Sequence, residues 1–275
     1  MSRSVRQVDA RRGPRLCLAN ATVWLLLTIA PTMAAAAPPD GAVIMANADR
    51  MNRADFEIAR LRMELRGSDG SPQARELTWH LVGRSGTRTS LLKFTSPASM
   101  RGIGTLVIEA DNQPSAVWHH IPATRDVRRI AAEHRQNRFM GTEFSFEDFE
   151  GLKLDKYAFT LLRSEACRDG NVCHVVEGTA SDPAERESSA YSRKVFWIDQ
   201  RTHAIVRIEL FHPAGTLAKV FARTDFHLIS GYWRPRRQVM TDVRSGRSTT
   251  LIEIEYRLSE PFDLYYVSQQ YLRSR

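Results

Sequence analysis

Beyond Ala37 the chain has no apolar run approaching the roughly 20 residues that span a bilayer, so nothing there reads as a membrane helix. Cysteine is scarce, three in 275 residues, which excludes a disulfide-dense scaffold or a cysteine-rich zinc site. There is no Gly-rich phosphate loop, no Gly-x-Ser-x-Gly and no His-Glu-x-x-His, so nucleotide-binding and hydrolase readings have no local support. The eight histidines are scattered. Adjacent His119 and His120 would point to opposite faces of a strand and form no metal pair. Glu143, Glu147 and Asp148 are the one acidic cluster that invites acid–base or metal chemistry, and the nearest histidine, His134, lies nine residues before Glu143. Ser145-Phe146-Glu147-Asp148 has the form of a helix capping box, which accounts for Glu147 and Asp148 structurally. No catalytic residue, cofactor or metal is expected; an enzyme using Glu143 or Asp148 is the alternative of last resort.

What is present begins with a leader. Arg3, Arg6, Arg11, Arg12 and Arg15, against a single Asp9, precede an apolar stretch from Leu16 to Ala30, and Ala34-Ala35-Ala36-Ala37 before Pro38-Pro39 supplies an Ala-x-Ala site cut after Ala36. Residues 1–36 are therefore read as a secretory signal peptide and 37–275 as one periplasmic domain, soluble after processing. Arg11-Arg12 continues as Gly13-Pro14-Arg15, a poor twin-arginine signal, so general secretion is expected. The formal charge of +8 falls to +4 once the leader's five arginines and one aspartate are set aside. That balance, with no nucleic-acid motif, gives no reason to expect DNA or RNA as a partner. Cys167 and Cys173 flank Arg168-Asp169-Gly170-Asn171, a hairpin signal that would set the two thiols side by side, and in an oxidising compartment the pair reads as a local disulfide.

Pro38-Pro39-Asp40 starts a short helix over Ala42 to Met51. The rhythm then becomes two: Leu61, Met63 and Leu65, then Leu77, Trp79 and Leu81, later Val206, Ile208 and Leu210, and Ile252, Ile254, Tyr256 and Leu258 alternate with polar residues. Such alternation means half-buried antiparallel strands. Phe56 and Ile58 sit on the opposite phase from Leu61, so one continuous strand there would require a slip near Ala59. Turn signals divide the chain into about 10–11 strands, too many to lie flat, and a strongly curved sheet or incomplete barrel is expected. From Glu133 to Gly151 the rhythm fails in favour of helix and loop rich in phenylalanine.

Three phrases fall in order between Phe94 and Phe149: Phe94-Thr95-Ser96-Pro97-Ala98-Ser99-Met100-Arg101-Gly102-Ile103-Gly104-Thr105-Leu106, then Trp118-His119-His120-Ile121-Pro122 with Arg125, Arg128 and Arg129, then Phe139-Met140-Gly141-Thr142-Glu143-Phe144-Ser145-Phe146-Glu147-Asp148-Phe149. With Lys194-Val195-Phe196-Trp197-Ile198-Asp199 and Gly215-Thr216-Leu217-Ala218-Lys219, the chain from about Val43 onward resembles the bacterial outer-membrane lipoprotein-sorting proteins, whose fold is that of the lipoprotein carrier LolA. The resemblance implies a mainly β (α+β) half-open barrel covered by a few helices, with a lid and a ligand space beneath. It also implies lipid or lipoprotein acyl chains as cargo, no catalysis, and partners among inner-membrane exporters of the resistance-nodulation-division (RND) type and an outer-membrane acceptor. A lipid-sensing regulator of related fold is the rival reading. A carrier must shelter about 0.8 kcal/mol of acyl chain per methylene, on the order of 12 kcal/mol for sixteen carbons. Phe56, Met63, Trp79, Phe94, Trp118, Phe139 and Phe146 are the large apolar residues expected to face such a sleeve. Arg101, Arg125, Arg128 and Arg129 are candidates for a rim that meets headgroups or an acidic partner.

Overall fold

Asp40 opens the first helix by accepting the Ala42 N–H at 3.1 Å, and α1 (Gly41–Asn52) follows. The computed structural model describes residues 39–66, 72–84, 86–111, 113–167 and 170–274. The leader at 1–36 and turn residues Ser68, Asp69, Gly70, Ser71, Ser85, Asn112, Arg168 and Asp169 lie outside the described residues.

Six strands come next, β1 (Phe56–Arg66), β2 (Pro72–Arg84), β3 (Thr87–Ser96), β4 (Gly104–Ala110), β5 (Ala116–Ile121) and β6 (Asp126–Ile130). A crossing segment, residues 131–156, leads to β7 (Tyr157–Ala166) and β8 (Val172–Ala180), and α2 (Pro183–Ser188) precedes β9 (Arg193–Asp199). β10 (Ile205–Phe211), β11 (Leu217–Ile229), β12 (Tyr232–Asp242) and β13 (Ser248–Leu258) complete the strands, and α3 (Gln269–Arg273) ends the fold. All thirteen join one antiparallel sheet in the order β6-β5-β4-β3-β2-β1-β13-β12-β11-β10-β9-β8-β7. Two meanders thus meet where β1 pairs with β13. β6 and β7 remain its two edges, so the sheet is open, a half-barrel. The turn signals undercount the strands because β6 carries no alternating apolar face, its Arg128 and Arg129 both exposed.

β1 corrects the expected slip near Ala59. Its pairing with β2 is unbroken from Phe56 to Arg66, and the register shift lies in its pairing with β13, where Arg60 meets Glu255 and Leu61 meets Glu253. The unpaired residue is therefore Ile254, on the partner strand. Phe56 needs no slip because both faces of the sheet are covered here. Ala59, Leu61 and Met63 enter the inner core, while Phe56 faces outward, its ring centroid 5.5 Å from that of Phe262. The C-terminal segment makes that outer cover, with Val267 and Leu272 buried against Val82, Leu91 and Leu106. Lys93, on the same face, donates to the Tyr271 and Ser274 carbonyls at 2.7 and 2.6 Å.

The crossing segment runs over the inner face from the β6 edge to the β7 edge. It contains only 3-10 turns, Ala132–His134 and Phe146–Phe149, where the sequence suggests helix and loop. Asp148 accepts the Ser145 N–H at 2.7 Å and its hydroxyl at 2.8 Å, so the carboxylate half of the expected capping box is present and the hydroxyl donates to it. Phe139, Phe144, Phe146 and Phe149 pack from this segment onto the sheet. At the β7–β8 hairpin Cys167 and Cys173 form a disulfide, Cα atoms 5.7 Å apart. Among the described residues no helix is long and apolar enough to cross a membrane.

Candidate ligand-binding cavity

The inner face of β1, β2 and β9–β13, the crossing segment, α1 and α2 together line a cavity of about 710 Å3, within the roughly 300–1,000 Å3 of small-molecule sites. Trp79, Phe144, Phe149, Phe196, Leu210 and Met240 supply its apolar wall. Strand alternation places Trp79, Phe196, Leu210 and Met240 there, and the crossing segment brings Phe144 and Phe149. Trp79 lies opposite Ala59, on the phase of Leu61 and Met63, and Phe149 reaches it from the crossing segment edge-on, centroids 5.9 Å apart.

Beside α2 the wall carries paired charges. Arg135 grips Glu150 with two bonds, Nε to Oε1 at 2.6 Å and Nη2 to Oε2 at 2.9 Å. Lys153 lies 2.8 Å from Glu185. Burial alone would raise the Glu185 carboxyl, yet Lys153 and Arg135 outweigh it and hold the pKa at about 2. Burial lowers Arg135, but attraction from Glu150 and Glu185 leaves its pKa raised. Glu147 accepts the Ala190 N–H at 3.2 Å and the Ser189 hydroxyl at 3.3 Å. Its pKa is raised by burial, which nearby Lys194 only partly offsets. These groups tie the crossing segment to α2 and to the loop before β9.

Farther along the sheet Arg234 donates to Glu57 at 2.7 Å, and Gln238 donates to the Tyr256 hydroxyl at 3.4 Å. Arg223 lines the cavity among them. Burial lowers its pKa to about 10, against a smaller raising effect of Tyr256, so the guanidinium stays charged at neutral pH.

Of the seven large residues expected to face the sleeve, Trp79 lines the cavity. Met63, Phe94, Phe139 and Phe146 are buried in the inner core, and Phe56 and Trp118 pack on the outer face beneath the C-terminal segment. Arg101 and Arg125 occupy neighbouring turns, joined by the close approach of Gly102 to Pro122. Arg128 and Arg129 lie on edge strand β6, Arg129 stacked 5.8 Å from the Trp118 ring. Arg125 immediately precedes that strand, Arg101 lies in the turn between β3 and β4, and none of the four lines the cavity. Glu143 also lies off it, ion-paired with Arg138 and Arg247. His119 meets Thr105 Oγ1 at 2.8 Å and the rings of Phe139 and Phe146, whereas His120 donates through Nδ1 to the Asp126 carbonyl. No group of three side chains able to hold a metal occurs among the described residues. Sequence reading missed Glu150, Glu185 and Arg223, and grouped Arg135 with the rim arginines where the structure sets it in the cavity wall. Arg223 alone left a signal, a charge on the same strand phase as Lys219 and buried Phe221.

A family model described only as that of an uncharacterized protein matches residues 86–274. No curated protein matches the chain. A crystal structure from Vibrio parahaemolyticus, described as an outer membrane lipoprotein-sorting protein domain, is 23% identical, covering 85% of this chain and 98% of that one with a TM-score of 0.79. A DUF1329 family protein from Desulfovibrio piger is 24% identical over 84% of this chain and 97% of that one, TM-score 0.78. A LolA superfamily protein from Nitrosomonas europaea is 21% identical over 85% and 100%, TM-score 0.66. The fold is LolA-like.

Proposed function

The chain belongs to the family whose model matches residues 86–274, and from that premise and its LolA-like fold we propose that it is a periplasmic carrier of lipid or of lipoprotein acyl chains. The observation that carries this reading is the cavity of about 710 Å3 between sheet and crossing segment. Trp79, Phe144 and Phe149 offer an acyl chain the apolar contact that offsets on the order of 12 kcal/mol of transfer cost for sixteen carbons. The charges beside α2 are neutralised by one another, so that end of the wall asks little of a guest beyond its shape. The Cys167–Cys173 bridge suits an oxidising compartment. On this reading an inner-membrane exporter of the RND type and an outer-membrane acceptor exchange the cargo, and Arg101, Arg125, Arg128 and Arg129, in the β3–β4 turn and on or beside β6, offer an acidic partner a basic surface.

Native mass spectrometry of the protein purified from its own source tests the proposal. An acyl lipid is expected to co-purify, and Trp79→Glu should lose it while keeping the wild-type circular dichroism. A wild-type protein that arrives empty and extracts no lipid from vesicles would refute carriage.

A further inference from the structure

The charges around the cavity are not alike in their partners. Arg53 pairs with Asp49 at 2.6 Å, Arg88 with Glu109 at 2.7 Å, Arg135 and Lys153 with Glu150 and Glu185, and Arg234 with Glu57. Lys194 sits where Tyr157, Glu147 and Glu185 together keep its pKa raised against the lowering effect of burial. Arg223 differs. Among the described residues its side chain makes no ion pair, and its buried Nε has no hydrogen-bond partner. The Phe221 face lies 4.7 Å from its guanidinium carbon. Glu57, a carboxylate whose charge acts on it, is already engaged by Arg234, itself a second positive charge that acts on Arg223.

Arg223 is half-buried, with its Nε shut away from water; a partly desolvated, unpaired guanidinium is costly, and its planar fork matches carboxylate and phosphate oxygens two at a time. Local charge at this place, Arg223 and Arg234 against Glu57, leaves one positive charge uncompensated inside a cavity whose adjoining wall is Ile208, Phe221 and Met240. A cation beside an apolar wall fits a guest with an acidic head and a hydrocarbon tail.

Resting on the carrier reading, we infer that Arg223 receives the acidic head of the cargo, so that the protein selects acyl chains ending in a carboxylate or a phosphate monoester over neutral ones. The head lies against the fork of Arg223, Gln238 and Tyr256 stand close enough to share its oxygens, and the tail runs along the apolar wall past Met240 and Leu210.

Isothermal titration of the purified protein with hexadecanoate, hexadecyl phosphate and methyl hexadecanoate at pH 7.5 decides it. At least one acidic probe should bind about tenfold or more tighter than the ester, as a charge-assisted bidentate contact predicts, and the tighter of the two identifies the head. Arg223→Met should bring the ratio of acid to ester affinity to about one, and Arg223→Lys should leave it between the two. If the wild-type protein binds the ester as tightly as both acids, or if Arg223→Met keeps the preference, the inference falls and carriage stands. If none of the three probes binds, the inference falls as well, and lipid extraction from vesicles decides carriage. The wild-type ratio alone suffices should Arg223→Met not fold.

Discussion

Phe139 has no exposed surface and meets four rings, Phe94, His119, Phe146 and Phe149, at centroid distances of 4.8 to 6.1 Å. Phe139→Ala should therefore cost about 3–5 kcal/mol of stability in chemical denaturation, with lipid affinity changed far less. A small loss of stability with a large loss of lipid binding would instead place Phe139 against the guest. The size and phase of such residues were readable in the sequence. Which of them bound a cavity was not, because a core wall and a sleeve wall demand the same apolar side chain on the same strand phase. Trp79 and Phe94 stand on neighbouring strands of one face, yet only the first reaches the open space. The crossing segment's path decides the difference. Arg223 was passed over for the converse reason, since a charge in a strand usually faces water and its lack of a partner exists only in three dimensions.

At the level of elements, α1 depends on a close approach. A Cβ on Gly41 would lie 2.8 Å from the Phe159 carbonyl and the Leu161 nitrogen of β7. Alanine is the better helix former by about 1 kcal/mol, but rigid backbone cannot yield as a side chain can, and overpacking costs roughly 1–3 kcal/mol. Gly41→Ala should thus lower the urea midpoint. An unchanged or higher midpoint would mean that α1 does not sit on β7 as described. The helix itself was legible from Pro38-Pro39-Asp40, as were the alternating strands and the disulfide. β1 was harder, because Phe56 and Ile58 carry apolar side chains on one phase and Leu61 and Met63 on the other. A sequence cannot tell a slipped strand from a straight one covered on both faces. Here the C-terminal segment supplies the second cover, and its docking depends on residues about 180 positions away along the chain, Lys93 with Ser274 among them.

For the whole molecule, buried titrating groups set the response to acid. Burial pushes His80 and His119 down to about 4, whereas an unfolded imidazole titrates near 6.5. Between those values the unfolded chain binds protons that the folded one refuses, so stability rises with pH and is lost as pH falls from about 6.5 to 4. From pH 7 to pH 5 each ring should remove about 1–2 kcal/mol. His80→Phe is expected to remove its share of that slope, since His80 stacks on Tyr266 with its Nδ1 unpaired. Urea melts at the two pH values measure it, and an equal slope in the variant would rule out His80 as a source. Glu185 adds a second loss at lower pH, its stabilisation present above about 4.5 and disappearing as pH falls toward 2. The sequence by itself determined an antiparallel β domain bearing one short helix, a local disulfide and a phenylalanine-rich interruption, because strand period, turn residues and cysteine spacing act over a few neighbours. Only the tertiary structure decided that the sheet stays open with that interruption laid across it, that a cavity is left between them, and that one arginine faces it without a partner among the described residues. Those features come from packing between elements far apart in the chain, where identical local patterns can close into solid core or stand apart.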